Sequence, residues 1–219
     1  AMAALLGNAV MARGTRSLAA PPAAAPARGE GFRARDFAFG LLGYLMFGLG
    51  YIGYMTFIVT LLREQGVGGA VIVAFYVLLG AGVIASSWLW APLLQRYRGG
   101  QPLAVLDALL AVATLLPVAS AHPVAVFASG ALFGAVFLSV VASTTVLVRH
   151  NLPPAAWPAG IAAFTIVFAG GQIVGPVLVG WVADGPGGLV RGLALSAGVL
   201  ALGALLASRQ RALPNAPAH

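Results

Sequence analysis

Apolar residues run through the chain in six long stretches, separated by short breaks that are alternately arginine-bearing and nearly uncharged. The stretches read at roughly 37–62, 70–94, 103–121, 123–148, 158–183 and 189–207, the third and fourth divided only by Ala121-His122-Pro123. About twenty apolar residues cross a hydrocarbon core. Only elements that satisfy their own backbone hydrogen bonds survive there. The pattern therefore predicts an all-α membrane protein with six transmembrane helices.

Two segments lie outside this rhythm. Ala1 to Met11 is apolar but too short to span, and it reads as the tail of a preceding helix rather than as a signal peptide. Leu18 to Gly31 is rich in alanine and proline (Pro21, Pro22, Pro26) and has no usable periodicity. It reads as a flexible linker. The expected organisation is a helix end plus linker over 1–36, a bundle over 37–207, and a tail over 208–219.

Composition narrows the class. Of 219 residues, 60% are hydrophobic and 8% charged, against about a quarter charged in soluble domains. A water-exposed globule is excluded. The net charge of +7 comes from twelve arginines and no lysine. These sit at helix ends and in the tails, not on one face, so they read as topology determinants and not as a nucleic-acid surface. Arg13, Arg16, Arg28, Arg33, Arg35, Arg96, Arg98, Arg149, Arg209 and Arg211 fall on one side, and only Arg63 and Arg191 on the other. Positive charge accumulates on the cytoplasmic side. Both termini are therefore expected in the cytoplasm, as an even number of spans requires.

Small residues four apart (Gly82 and Ser86, Gly130 and Gly134, Gly171 and Gly175) predict close helix approach in lipid. Pro92, Pro117 and Pro176 are expected to kink or end helices. Together they predict a compact bundle.

Polar groups inside the spans are few. In the first span, Tyr44, Phe47, Gly48, Tyr51 and Tyr54 fall on one helical face. Buried tyrosine hydroxyls need partners, so this stripe faces protein or a water-filled cavity. Tyr44 reads as part of an aromatic packing seam, near the interface as a belt residue, whereas Tyr51 fits packing and cavity equally. In the fifth span, Thr165, Phe168, Gln172 and Val179 line up beside Gly175-Pro176. A mid-membrane glutamine turns inward, as interhelical glue or as a ligand contact. Ser139 and Ser143 are i, i+4 neighbours in the fourth span, although serines often bond back to their own helix.

Asp107 is the one carboxylate inside a span, and intramembrane acids are functional suspects. It lies five residues past Pro102, roughly 8 Å along the axis. It is expected to stay hydrated near the cytoplasm and to pair with Arg96 or Arg98, or to serve a gate. Glu64 beside Arg63 reads as a solvated pair.

Other chemistries lack their parts. His122, His150 and His219 lie in loops and at the terminus, and the chain has no cysteine. No metal or haem pair is spaced on a helix, so no cofactor or metal is expected. There is no Walker A sequence. No buried base stands ready to activate a serine, so an enzyme is not expected.

Two segments carry a family resemblance. Gly171-Gln172-Ile173-Val174-Gly175-Pro176, continuing through Gly180 to Asp184, resembles the penultimate helix of the major facilitator superfamily, often G-x-x-x-G-P-x-x-x-G ending in aspartate. Tyr44-Leu45-Met46-Phe47-Gly48-Leu49-Gly50-Tyr51-Ile52, with Thr56-Phe57 after it, resembles the seventh helix of the YbfB/YjiJ-type branch. Ala142-Ser143-Thr144-Thr145 and Arg149-His150-Asn151-Leu152-Pro153-Pro154 are similar to that bacterial branch as well. The resemblance covers about residues 35–210.

It implies twelve helices in two halves around a mid-membrane cavity, with this chain as the C-terminal half. Its partners would then be the lipid bilayer, a small-molecule substrate and the N-terminal six-helix half, with protons as the candidate coupling ion. Tyr51, Tyr54, Ser139, Ser143, Thr165 and Gln172 would be cavity candidates. Gly171, Gly175, Pro176 and Gly180 would serve packing and gating, and Arg96 and Asp107 a cytoplasmic gate. The family loop motif G-x-x-x-D-R-x-G-R-R is degenerate here: in Ala91 to Gly100 only Arg96 matches squarely, and Gln95 replaces the aspartate. A charge-relay gate at this loop is correspondingly weakened. The expected function is secondary transport across the bacterial inner membrane. The alternatives are a six-helix transporter or channel acting as a homodimer, and a non-transporting scaffold. With no buried arginine in the candidate set, a strongly anionic substrate is disfavoured.

Overall fold

A computed structural model describes residues 31–214. The expected helix remnant at 1–11 and most of the linker lie outside the described residues. Among those described, every regular element is helical. After a 3-10 turn at Ala34–Phe37 come α1 (Ala38–Glu64), α2 (Gly69–Leu89), the short α3 (Ala91–Arg96), α4 (Gln101–Ala119), α5 (Pro123–Asn151), α6 (Trp157–Ala183) and α7 (Gly188–Ser208). Six helical segments are long and apolar enough to cross a membrane, with α2 and α3 counted as one. Their bounds fall within a few residues of the sequence-derived spans.

The ends of the helices follow local chemistry. Gly66, at φ +79, takes the left-handed turn that ends α1. His122 accepts the Val124 N–H at 3.3 Å, capping α5. The three prolines behave differently from one another. Pro92 sits in the first turn of α3, where the second span breaks at Trp90, and Pro117 lies in the last turn of α4. Pro176 neither ends nor interrupts its helix: α6 runs from Trp157 to Ala183 without a break.

Packing follows a pseudo-two-fold pattern. Taking α1, α2, α4 as one triplet and α5, α6, α7 as the other, the first helix of each packs against the second and third of its opposite. Thus α1 packs on α6 and α7, α5 packs on α2 and α4, and α4 meets α7 at the centre. This is the arrangement of nested three-helix repeats. It leaves α2 and α6 on the flanks, each burying a single stripe: Ile72, Phe75, Leu79 and Ser86 on α2, and Gly160, Phe164, Gly171, Gly175 and Val179 on α6. Their outer faces carry Val73, Val77, Ile84, Ile166, Ile173 and Val177, all exposed and all suited to lipid.

Members of all three expected small-residue pairs make these contacts. A Cβ on Gly134 would strike the Leu79 carbonyl of α2, and one on Gly82 would come within 2.8 Å of the Ala135 nitrogen. On the other flank, a Cβ on Gly171 would lie 2.8 Å from the Leu45 carbonyl and one on Gly175 2.6 Å from that of Leu49. Gly180 differs, with only the Phe57 ring near it at 3.8 Å.

The arginine-bearing breaks gather at one end of the bundle, closed by the segment after α7. Gln210 accepts the Gly40 N–H at 3.0 Å and donates to the Asp36 carbonyl, while its own carbonyl takes the Gly100 N–H at 2.9 Å. Asn151 bridges the Arg98 carbonyl and the Leu213 N–H at 2.7 Å each. The start of α1, the loop before α4, the end of α5 and the tail are thereby tied together. At the opposite end, Gln65 donates to the Pro117 carbonyl at 2.9 Å, joining the ends of α1 and α4.

Candidate functional site

The expected tyrosine stripe divides in two. Tyr44, Phe47 and Tyr51 form an offset stack up one side of α1, with centroids 5.5 and 4.8 Å apart. Phe168 of α6 stacks on all three, at 5.0, 5.4 and 5.5 Å. From the other side, Phe137 of α5 stacks on Tyr51 at 5.2 Å. The ring planes lie within 12–27° of one another in these contacts. Offset stacking is the favoured geometry for such pairs. Tyr44 is buried in this seam against Phe164 as well, in keeping with its packing reading.

Gln172 closes the seam on its polar side. Its amide nitrogen donates to the Tyr51 hydroxyl, joining α6 to α1. Both expected candidates thus meet, and Gln172, Phe168 and Phe137 remain partly exposed along the same wall. Helices α5 and α6 touch near the arginine-rich end, where a Cβ on Gly160 would lie 2.8 Å from Val148. Arg149 lies over the Trp157 ring there, 4.6 Å from its centroid.

Tyr54 points elsewhere. It is fully buried, and its hydroxyl meets Ser129 Oγ at 2.6 Å. Ser129 in turn donates to the Ala113 carbonyl at 2.7 Å, so the chain of bonds links α1, α5 and α4. Tyr54 therefore does not share a face with the Tyr51–Gln172 pair. Val179 likewise leaves the Thr165–Phe168–Gln172 line and is buried against Gly53 and Gly192.

The hydroxyl candidates are mostly spent on backbone. Ser139 donates to the Ser86 carbonyl at 3.2 Å across the α2–α5 contact, Ser143 to Val140 and Thr165 to Ile161 of their own helices. Ser139 also lines an open apolar cleft of about 490 Å³ with Val83, Ser87, Trp88, Leu138 and Ala142.

Asp107 departs most from expectation. It is fully buried, and among the described residues neither carboxylate oxygen has a hydrogen-bond partner and no arginine pairs with it. Arg96 and Arg98 stay exposed. The depth estimate along one helix ignored its neighbours. At Gly43 and Gly203 the backbones of α1 and α7 come close enough for each glycine's Cβ to lie 3.0 Å from the other's carbonyl. Those two helices close over α4, and an Asp107 oxygen sits 3.1 Å from the position of a Gly203 Cβ.

Residues 1–208 match the protein family described as "Uncharacterised MFS-type transporter YbfB". The chain belongs to that family. No curated protein and no solved structure matches it. The family identity and the six apolar helices make this a multi-pass membrane protein of a transporter class.

Within this YbfB-type bundle, sequence reasoning missed several contributors. Phe133 and Phe137, four apart on α5, supply rings that no lone-helix analysis of α1 anticipates; Phe133 stacks on Tyr54 at 4.1 Å. Ser129 precedes Gly130, and its proximity to a packing glycine was the available signal. Gln210 had none, because its partners lie 170 and 174 residues away.

Proposed function

We propose that the chain forms the C-terminal six-helix half of a secondary transporter that moves a small molecule across the bacterial inner membrane by alternating access. In this reading both termini are cytoplasmic, and the arginine-rich end faces inward. The α1–α5–α6 wall lines the cavity, and an N-terminal six-helix half supplies the opposite wall. One observation carries the reading: the exchanged three-plus-three packing, with half-buried aromatic and amide groups left along one wall.

The absence of cysteine makes the test clean, because single cysteines need no background removal. In sealed membrane vesicles, Gln172→Cys is expected to react with a water-soluble maleimide. Ile173→Cys, on the outer face of the same helix, is expected to stay unreacted in lipid. Equal protection of both positions would contradict a water-filled cavity on this wall.

Protons are the proposed coupling ion, and Asp107 is the group in this half that carries one. Its burial without any counter-charge supports this role, since such a carboxyl is costly unless neutralised. In the assembled transporter, Asp107→Asn is expected to abolish uphill transport driven by a proton gradient while substrate exchange persists. Unchanged gradient-driven accumulation would exclude Asp107 from coupling.

A further inference from the structure

We propose that the wall formed by Tyr51, Phe137, Phe168 and Gln172 binds a flat, uncharged aromatic molecule whose edge carries an adjacent hydrogen-bond donor and acceptor, as in a lactam or aromatic carboxamide. The inference rests on the transporter reading for its purpose, but the site itself is argued from geometry.

Flatness follows from the rings. Phe168 and Phe137 flank Tyr51 at 5.5 and 5.2 Å, inclined to it by only 17° and 27°. A planar ligand continues a near-parallel stack with little loss of side-chain freedom, because the rings already hold one another in place.

Neutrality follows from what surrounds them. Both cation–π contacts among the described residues lie elsewhere, at Tyr97 and Trp157. Among the described residues no arginine stacks on a ring of the seam to clamp an anion. The one buried carboxylate among the described residues, Asp107, is sealed beneath α1 and α7, so it offers no counter-charge to a bound cation.

The polar edge follows from hydrogen-bond accounting. Gln172 gives one amide hydrogen to the Tyr51 oxygen. The Gln172 carbonyl and the hydrogen of the Tyr51 hydroxyl have no partner among the described residues. The pair therefore presents the Gln172 carbonyl as an acceptor beside the Tyr51 hydroxyl hydrogen as a donor, with the second amide hydrogen of Gln172 also free. Rotating the amide by half a turn makes Tyr51 donate to the Gln172 carbonyl and leaves the Tyr51 oxygen as acceptor beside the amide hydrogens as donors. A group with N–H next to C=O matches both at once, and a site with unmet polar groups discriminates against ligands that lack them.

The test uses the purified chain in detergent, with 6-fluoro-2-quinolinone as probe and fluorine NMR as readout. Controls are 6-fluoroquinoline, which lacks the lactam edge, the anion 6-fluoroquinoline-2-carboxylate, and caprolactam as a non-aromatic competitor. Saturable binding of the quinolinone is expected, about tenfold tighter than the quinoline, as two modest hydrogen bonds provide. That advantage is expected to vanish in Tyr51→Phe and in Gln172→Met, both of which preserve side-chain volume. Phe168→Leu is expected to weaken the quinolinone and quinoline alike.

A tenfold preference that survives both polar variants would overturn the proposal. So would tighter binding of the carboxylate, or displacement of the probe by caprolactam at equal concentration. Unchanged melting temperatures of the variants guard against misfolding. Binding is read without transport, so a chain that binds as stated but belongs to no functioning transporter would refute the proposed function alone.

Discussion

The Tyr54–Ser129–Ala113 chain yields a prediction whose sign structure is unusually restrictive. Ser129 has one hydroxyl hydrogen and gives it to the Ala113 carbonyl, so Tyr54 must donate to Ser129 Oγ. Tyr54→Phe removes the donor at the end of the chain and leaves the Ser129–Ala113 bond intact. Hydrogen bonds between membrane helices average about 0.6 kcal/mol and reach about 1.7, so a cost of about 1 kcal/mol is expected. Ser129→Ala instead strands a fully buried tyrosine hydroxyl, and a buried unmet donor costs about 1–3 kcal/mol on its own. The double variant has no hydroxyl left to strand. It is expected to be no less stable than Ser129→Ala alone, giving a coupling of about 1 kcal/mol. Reversible unfolding in mixed micelles measures all four species. Equal costs for the two single variants with strict additivity would refute the hydrogen-bond order. A transport defect in Tyr54→Phe at unchanged stability would show that this hydroxyl reaches the substrate path after all.

Two neighbouring glycines on α6 give a sharper contrast. Gly171→Ala drives a methyl into the backbone of Leu45 and Leu49 and is expected to cost about 1–3 kcal/mol. Gly170→Ala meets nothing within 4 Å and should be neutral or stabilising by up to about 1 kcal/mol, read by the same unfolding assay. At the arginine-rich end, Gln210→Ala removes the acceptor of the Gly40 N–H and a donor to the Asp36 carbonyl, at an expected cost of about 1–3 kcal/mol. Hydrogen exchange should rise at Gly40 and Gly100 together, since one segment holds both; a rise at Gly40 alone would show the tail to be less unified than its contacts imply.

The helices were legible in sequence because lipid enforces a simple rule: each span must be apolar and long enough to cross. Their bounds, the alternation of charged breaks and the close approach at Gly134 and Gly171 all follow from composition at short range. The side-chain environment was less legible, for one physical reason. Helical periodicity places Tyr51 and Tyr54 on one broad face, but three residues subtend about 300° and leave a 60° offset. That offset sends Tyr51 toward α6 and Tyr54 toward α5. Asp107 failed for the same kind of reason, because depth along α4 says nothing about the helices that wrap it. Of the two outcomes expected at Pro176, a kink or an end, the helix does not end there, and membrane helices can tolerate an interior proline when neighbouring groups satisfy the freed carbonyl.

The most direct measurement of the central claim is substrate uptake into proteoliposomes containing this chain alone, compared with the chain co-reconstituted with the proposed N-terminal six-helix half. Radiolabelled substrate candidates, beginning with neutral aromatic lactams, provide the signal. The account predicts no uptake above empty liposomes for the chain alone and saturable uptake for the two halves together. Saturable uptake by the chain alone would contradict it and would establish a self-contained six-helix transporter.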